Sequence, residues 1–225
     1  MKTLRTDGVI LRRTNFGEAD RIIKVITQRD GIVSVMAKSV RKEKSKLAGG
    51  IELFAICDLN LHFGKSELAV LTGARIKTFF DQILVDYDRL QFAYDVLKRI
   101  GKTAESMAEP EFYNLLTETL AALNDVKVSL NLIKVWFYLH LANILGHGLN
   151  TATDVSGMKL VEGAHYNFDS HGQVFIFNEN GSFGTEHIKF LRVLAQNKPA
   201  IVAKIADVDK LSRDCTPLAL AMAKI

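Results

Sequence analysis

The chain has 225 residues, of which 48% are hydrophobic and only three are proline, a composition that excludes a disordered protein and allows one or two folded domains. Two cysteines are too few for a disulfide framework or a four-cysteine zinc site. The net charge of +4 is unevenly spread, because residues 1–80 carry +7 (15 Lys and Arg against 8 Asp and Glu) and residues 81–225 carry −3.

Positive charge that is confined to one segment is typical of local binding to a polyanion. No apolar run reaches the roughly 18 residues of a membrane-spanning helix. The first residues, Met1 to Asp7, lack the apolar stretch and cleavage pattern of a signal peptide. We therefore expect a cytoplasmic protein without a membrane partner.

The first 80 residues are predicted to form five short strands separated by turns. The clearest signal is the alternation along residues 51–63, and Asp30-Gly31 is a strong hairpin signal. The predicted strands are residues 9–13, 21–27, 32–37, 51–63 and 67–72, the last continuing towards residue 79. Five strands in this length fit a small barrel, and the OB-fold is a five-stranded barrel that holds single nucleic-acid strands.

From Asp81 onward the hydrophobic period becomes helical, which predicts an all-α domain over residues 81–225. The first helix, over residues 87–107, has Leu90, Tyr94, Leu97 and Ile100 on its apolar side. Further helices are predicted over residues 110–125, 129–145 and 186–196, with shorter segments after Pro199 and Pro217. The helix over residues 129–145 is apolar nearly all round, which is typical of the centre of a bundle. A polar insert over residues 150–184 resembles a small β-hairpin, so the fold class is α+β with domains 1–80 and 81–225.

Residues 38–46 carry five cations and lie between two predicted strands. Unpaired ammonium groups are too costly to bury, so this segment is predicted to be an exposed loop whose counterpart is a polyanion. The alternative is an ordinary solvated loop. Phe16, at the tip of a polar turn, can equally stack on a base or plug the end of the barrel. The cations of the loop are Lys38, Arg41, Lys42, Lys44 and Lys46, and those of the neighbouring strands are Arg12, Arg13 and Lys24.

Nothing in the chain is typical of a catalytic or metal site. No glycine-rich phosphate-binding motif occurs. His140 and His147 would lie about 10 Å apart on one helix, too far to bind one metal ion. Cys57 falls among the inward residues of its strand, and Cys215 has no histidine near it in sequence. We expect no enzymatic activity and no cofactor; a hydrolase would require turnover that disappears with Cys57→Ser or Cys215→Ser.

Several short motifs resemble, in order and spacing, the amino-terminal signature of the RecO family. They are Gly8-Val-Ile-Leu-Arg-Arg, Phe16-Gly-Glu-Ala-Asp-Arg-Ile, Thr27 with Gly31, Ala37-Lys38, Arg41, Lys44-Ser-Lys-Leu-Ala-Gly and Leu53-Phe54. The rest of the chain resembles the family more loosely. This resemblance implies a DNA-repair and recombination mediator that binds single- and double-stranded DNA and anneals complementary strands. Such proteins help to load RecA onto strands coated by single-stranded-DNA-binding protein (SSB), with RecR and often RecF, and act at the nucleoid.

The resemblance also implies which side chains contact phosphate. An apolar groove on the helical domain would take the acidic C-terminal peptide of SSB, and Lys98 and Arg99 are the nearest charged pair on a helix. The alternative function is an RNA-binding OB-fold module with a helical protein-interaction domain, since phosphate contacts do not distinguish DNA from RNA. The implied phosphate contacts are Arg12, Arg13, Lys38, Arg41, Lys44 and Lys46, to which local charge adds Lys42 and Lys24.

One departure from the family pattern concerns metal binding. Many RecO proteins carry a four-cysteine zinc motif in the insert, whereas residues 154–157 and 172–183 here contain no cysteine. We therefore expect no metal. The aromatic side chains of the insert are predicted to form its core instead: Tyr166, Phe168, Phe175 and Phe177.

Overall fold

The structure, a computed structural model, describes residues 2–66, 68–107 and 109–223. The chain forms two compact units, residues 1–124 and 125–225. The strands of the amino-terminal sheet end at Phe79, close to the predicted end of the first domain, and the first unit continues through two helices. In the described part of the chain, no helix is both long and apolar enough to cross a membrane.

The first unit contains a closed barrel of five strands. They are β1 (Lys2–Phe16), β2 (Asp20–Thr27), β3 (Gly31–Ala37), β4 (Ala55–Phe63) and β5 (Ala69–Phe79). The strand order around the barrel is β1-β2-β3-β5-β4. All pairs are antiparallel except β3 with β5, which pair in parallel where Val35 lies opposite Ala69. The predicted five-stranded OB-fold barrel is confirmed.

The barrel core follows the alternation that the sequence predicts. In β4 the side chains of Ala55, Cys57, Leu59 and Leu61 are fully buried, and the residues between them are partly exposed. They pack with apolar side chains from the other strands, such as Ile23. Burial of each large side chain contributes about 1.5–3 kcal/mol to folding.

The largest differences from the predicted strand boundaries are at the starts of β1 and β4. β1 begins at Lys2, seven residues early, because its first half pairs with β4 and its second half with β2. The hydrophobic alternation does not extend to this half, because most of its side chains are polar and at least partly exposed. β4 begins at Ala55, because Phe54 has a left-handed backbone (φ 56°) that interrupts an extended strand. Glu67, where the fifth strand was predicted to begin, lies outside the described residues.

Two helices complete the first unit: α1 (Tyr87–Thr103) and α2 (Glu111–Asn124). The carboxylate of Asp86 caps α1 by accepting hydrogen bonds from the amides of residues 88 and 89. Leu97 and Ile100 are buried as predicted. Tyr94 is not, since 46% of it is exposed, and its ring packs edge-on against Phe54 with the centroids 5.0 Å apart.

The second unit contains four helices in its described part. They are α3 (Leu130–Ile144), α4 (Thr185–Gln196), α5 (Pro199–Val202) and α6 (Val208–Met222). Most of α3 is buried, and it packs against the other three helices, as predicted for a central helix. Pro217, expected to begin a segment, lies inside α6 instead. The helix continues through this residue and forgoes the one hydrogen bond that proline cannot donate.

The insert contains the predicted hairpin, formed by β6 (Tyr166–Asp169) and β7 (Val174–Phe177). Its core is centred on Phe175, which is fully buried and has its ring centroid 5.6 Å from that of Phe168 and 5.8 Å from that of Phe183. The prediction for Phe177 was wrong, because this side chain is 55% exposed at the end of β7. Phe183 packs in the core instead, bridged to Tyr166 by two backbone hydrogen bonds of 2.9 Å.

Side-chain oxygens anchor the loops of the insert. The Oδ1 atom of Asp154 accepts hydrogen bonds from the amides of Ser156 (2.8 Å) and Met158 (3.0 Å). Asp169 accepts from the amides of His171 and Gly172, both at 3.0 Å. These short-range bonds fix the turns that the insert needs.

Candidate nucleic-acid interface

The basic loop, residues 38–46, runs from the end of β3 towards a 3₁₀ turn at Ala48–Gly50. Its start is bound to the turn between β1 and β2. The amide of Ser39 donates to the Oδ1 atom of Asp20 (2.6 Å), and the amide of Arg41 donates to the carbonyl of Ala19 (2.9 Å). Val40, only 2% exposed, packs into the barrel core. The loop is therefore held against the β1–β2 turn.

The charges of the basic loop face solvent, as predicted. All five cationic residues are exposed, and Glu43 is the one acidic residue among residues 38–46. Within the described residues, no carboxylate lies within ion-pair distance of these five cations. The guanidinium of Arg41 donates to the carbonyl of Gly17 at 3.3 Å. The loop presents a concentration of positive charge that is not neutralised locally.

The three predicted cations of the strands have different surroundings. Arg12 is exposed. Arg13 points the other way and forms an ion pair with Glu52 at 2.8 Å. Lys24, opposite Arg12 in the β1–β2 pairing, forms an ion pair with Glu105 of the α1–α2 connection. Arg12 is therefore open to a ligand, whereas Arg13 and Lys24 already have a carboxylate partner.

Phe16 is the last residue of β1 and lies opposite Asp20 at the turn to which the basic loop is bound. Its side chain is 52% exposed, so it does not fill the end of the barrel. An exposed ring beside a cluster of cations is the arrangement that single-strand-binding proteins use for base stacking. The geometry favours stacking over the alternative of a plug.

Two further lysines of the first unit were not among the predicted contacts. Lys98 and Lys102 are exposed and lie four residues apart on α1, so their side chains share one face of the helix. Arg99, named with Lys98 as a candidate for peptide binding, bonds instead to Asp95 at 2.7 Å. Their four-residue spacing in a predicted helix was the feature of the sequence from which this shared face could have been predicted.

The cysteines have surroundings that disfavour nucleophilic chemistry. Burial, and to a smaller extent nearby Glu52, raises the pKa of Cys57 to about 12. Burial, with Asp214 next in effect, raises the pKa of Cys215 to about 12. Both thiols stay protonated near neutral pH, and the thiolate is the reactive form.

His187 has a structural role at the start of α4. Its Nδ1 atom accepts a hydrogen bond from the amide of Gly184, and its Nε2 atom lies 3.2 Å from Asp214 Oδ2.

We expect purified protein to contain no stoichiometric zinc. Asp154 uses its Oδ1 atom on two backbone amides, and both cysteines are protonated and buried. In the described ranges no three His, Cys, Asp or Glu side chains are grouped closely enough to hold a metal ion. Elemental analysis of protein purified without chelator is the measurement. One zinc per chain would contradict this prediction.

Comparison with known proteins shows that this chain is similar to proteins named for DNA repair. The family described as "Recombination protein O N terminal" matches residues 1–80, which cover the barrel. A protein named "DNA repair protein RecO" from Dehalococcoides mccartyi is 33% identical over 144 residues, covering 64% of this chain and 56% of that protein. One of the same name from a Roseiflexus species is 33% identical over 147 residues, covering 65% of this chain and 51% of that protein.

A third relative extends the similarity further along the chain. The "DNA repair protein RecO" of Rubrobacter xylanophilus is 29% identical over 168 residues, covering 74% of this chain and 67% of that protein. The chain thus spans little more than half the length of the first two relatives. The barrel thus matches the family's amino-terminal domain, and the similarity to proteins named RecO continues into the helices.

Proposed function

We propose that this protein is a non-enzymatic DNA-repair protein that binds single- and double-stranded DNA through the basic loop and the β1–β2 turn. The observation that carries this proposal is the group of five exposed cations held beside Phe16, with no ion-pair partner among the described residues. Phosphate groups are the natural counterpart of such a surface. The name shared by the three relatives supports DNA as the polyanion.

The proposed activity is annealing of complementary strands. Two strands held on one basic surface lose part of their mutual repulsion, and each raises the local concentration of the other. Pairing then accelerates without a covalent step, which is consistent with buried, protonated cysteines. Since phosphate contacts depend on counterion release, the acceleration that the protein provides should shrink as the salt concentration rises.

We further propose the partners that the family resemblance implies. In this scheme the protein acts at the nucleoid with RecR, and often RecF, to help load RecA onto SSB-coated strands. The acidic C-terminal peptide of SSB would bind an apolar groove in the helical part of the chain. Pull-down of purified RecR and of SSB with and without its C-terminal peptide tests these contacts one by one.

Annealing of complementary oligonucleotides, with and without SSB and across a salt series, tests the proposed function. We expect faster pairing with the protein, and pairing that persists when SSB coats both strands. A rate unchanged by the protein would contradict the proposal. Competition between this DNA and an RNA of the same sequence distinguishes DNA binding from the RNA-binding alternative. Preferential binding of the RNA would favour that alternative.

Phe16→Ala should weaken binding of a short single-stranded oligonucleotide about 5-fold, the lower end of the ~1–3 kcal/mol that stacking of one base contributes. Fluorescence anisotropy with labelled poly-dT measures it, and Phe16→Trp should retain the affinity. Phe177→Ala is the matched control, because Phe177 is 55% exposed and Phe16 is 52% exposed. Equal affinity of the Phe16→Ala variant and the unmodified protein would show that the ring does not contact a base.

A further inference from the structure

A groove of about 570 Å³ lies on the first unit between the outer face of the β1–β2 pair and helix α1. Its floor is apolar, because Leu11 and Leu97 line it and are only 9% and 2% exposed. Four cationic side chains surround this floor: Arg12, Lys24, Lys98 and Lys102. A groove with an apolar floor and a cationic rim is suited to a ligand that is anionic and also carries flat, apolar groups.

The groove lies on the same side of the β1–β2 pair as Phe16. Arg12 and Phe16 are four residues apart in β1 with no register shift between them, so both side chains point to the same face. Ile23 belongs to the barrel core, and its neighbour Lys24 therefore points outward with Arg12. Four residues of strand span about 13 Å. A strand bound at Phe16 and the basic loop would reach the groove by following this face.

The aromatic side chain of the groove is held in place. Tyr94 lines the groove with 46% of its surface exposed, and the buried ring of Phe54 packs edge-on against it. Lys98 and Lys102 stand one helical turn apart on the same helix. Like charges at that spacing repel each other, and an anion bound between them would relieve the repulsion. Cations that follow a backbone, with a ring on which a base can stack, are the elements of a single-strand-binding groove.

The side chain of Glu105 lines this groove and pairs with one of its cations. Among the described residues that line it, Glu105 alone is acidic, and its carboxylate pairs with Lys24. Both side chains are substantially exposed, so the pair can open at little cost. A carboxylate on a lysine resembles a phosphate oxygen in charge and in hydrogen bonding.

We propose that the groove is a second phosphate-binding segment for the same single strand that the basic loop holds, and that a bound phosphate displaces Glu105 from Lys24. The proposal rests on the proposed function and adds a path for the strand: from the basic loop, past Phe16, to Lys24, Lys98 and Lys102. The bound ligand is single-stranded nucleic acid, since the cations and the exposed ring of Tyr94 serve both its phosphates and its bases.

Glu105→Gln should tighten binding of a dT oligomer of about 16 nucleotides, a length within the range that one such barrel binds. Each phosphate contact on a single strand contributes about 0.7 to the salt slope, which amounts to about 5-fold at 0.1 M salt, so we expect about a 5-fold gain. The control is Glu162→Gln, which removes the carboxylate of another exposed Lys–Glu pair, with Lys189 in the second unit. A gain of affinity cannot result from misfolding.

Combined Lys98→Gln and Lys102→Gln should weaken binding of the same oligomer about 25-fold at 0.1 M salt and lower the salt slope by about 1.4. An oligomer of about 4 nucleotides, which fills only the loop end of the path, should bind with unchanged affinity. Lys127→Gln with Lys204→Gln, two exposed lysines of the second unit, is the matched control.

The outcomes separate this proposal from the proposed function. If Glu105→Gln binds no tighter and the α1 lysine variant no weaker, while loss of the loop charges still weakens binding strongly, the groove is overturned and the proposed function stands. If loss of the loop charges leaves binding unchanged, the proposed function itself fails. A polyglutamate peptide tests an acidic peptide as occupant: loss of peptide binding in the lysine variant with full retention of the oligomer would overturn the nucleic-acid assignment.

Discussion

Neutralising the four lysines of the basic loop is expected to lower affinity for single-stranded DNA about 600-fold at 0.1 M salt, or about 3.9 kcal/mol. The variant combines Lys38→Gln, Lys42→Gln, Lys44→Gln and Lys46→Gln. Each single-strand phosphate contact contributes about 0.7 to the slope of log K against log salt, so the slope should fall by about 2.8. Arg41 is kept because its guanidinium donates to Gly17 at the neighbouring turn.

The measurement is a salt series of binding isotherms with a labelled oligonucleotide. The matched control removes four exposed lysines of the second unit: Lys127, Lys159, Lys204 and Lys210. It changes the net charge equally, so a loss confined to the loop variant reports local contacts and not overall charge. Thermal unfolding of both variants should match that of the unmodified protein, because all eight side chains are exposed. Equal losses in both variants would contradict a specific role for the loop.

Gly50→Ala should lower the free energy of unfolding by about 3 kcal/mol, the upper part of the range for overpacking. Gly50 is the buried last residue of the 3₁₀ turn that follows the basic loop. A Cβ atom there would lie 2.4 Å from the carbonyl oxygen of Ala74 and 2.6 Å from its Cβ. Since the colliding atoms belong to the backbone of β5 or are fixed to it, the barrel must shift to admit the methyl group.

The neighbouring glycine provides the control for this prediction. Gly49 has no atom within 4 Å of the position that its Cβ would take, so Gly49→Ala should leave stability nearly unchanged. Urea unfolding followed by far-UV circular dichroism compares the two variants with the parent protein. Similar midpoints for both alanine variants would show that Gly50 is not required at the barrel wall.

Features that depend on local pattern were predictable from the sequence. The alternation in β4, the Asp-Gly hairpin and the apolar helix α3 each report burial through spacing alone, and the barrel and central helix follow from them. The exposure of the basic loop follows from the cost of burying charge. The assignment of phosphate contacts within it came from resemblance to the RecO family and stays a prediction.

Features that depend on contacts between distant residues could not be predicted. Lys24 and Glu105 are 81 positions apart, and only the packing of α1 on the barrel brings them together. Tyr94 fits the helical period, yet it lies at the border of the buried face of α1. At that border the periodic spacing does not ensure that a side chain is covered by the rest of the protein. Phe183, and not the predicted Phe177, packs in the core of the insert. The position of Phe183 is set by its backbone bridge to Tyr166 and not by strand alternation.

The basic loop is held at its start and followed by a turn that packs on the barrel. The loop backbone bonds to Asp20 and Ala19, and in the 3₁₀ turn after the loop Gly50 packs directly on Ala74. A segment restrained in this way has already lost much of its backbone freedom before a ligand arrives, so binding has to order the lysine side chains alone. If this loop binds a strand as proposed, association should be fast and independent of base sequence, because the affinity would depend on charge and not on refolding of the loop.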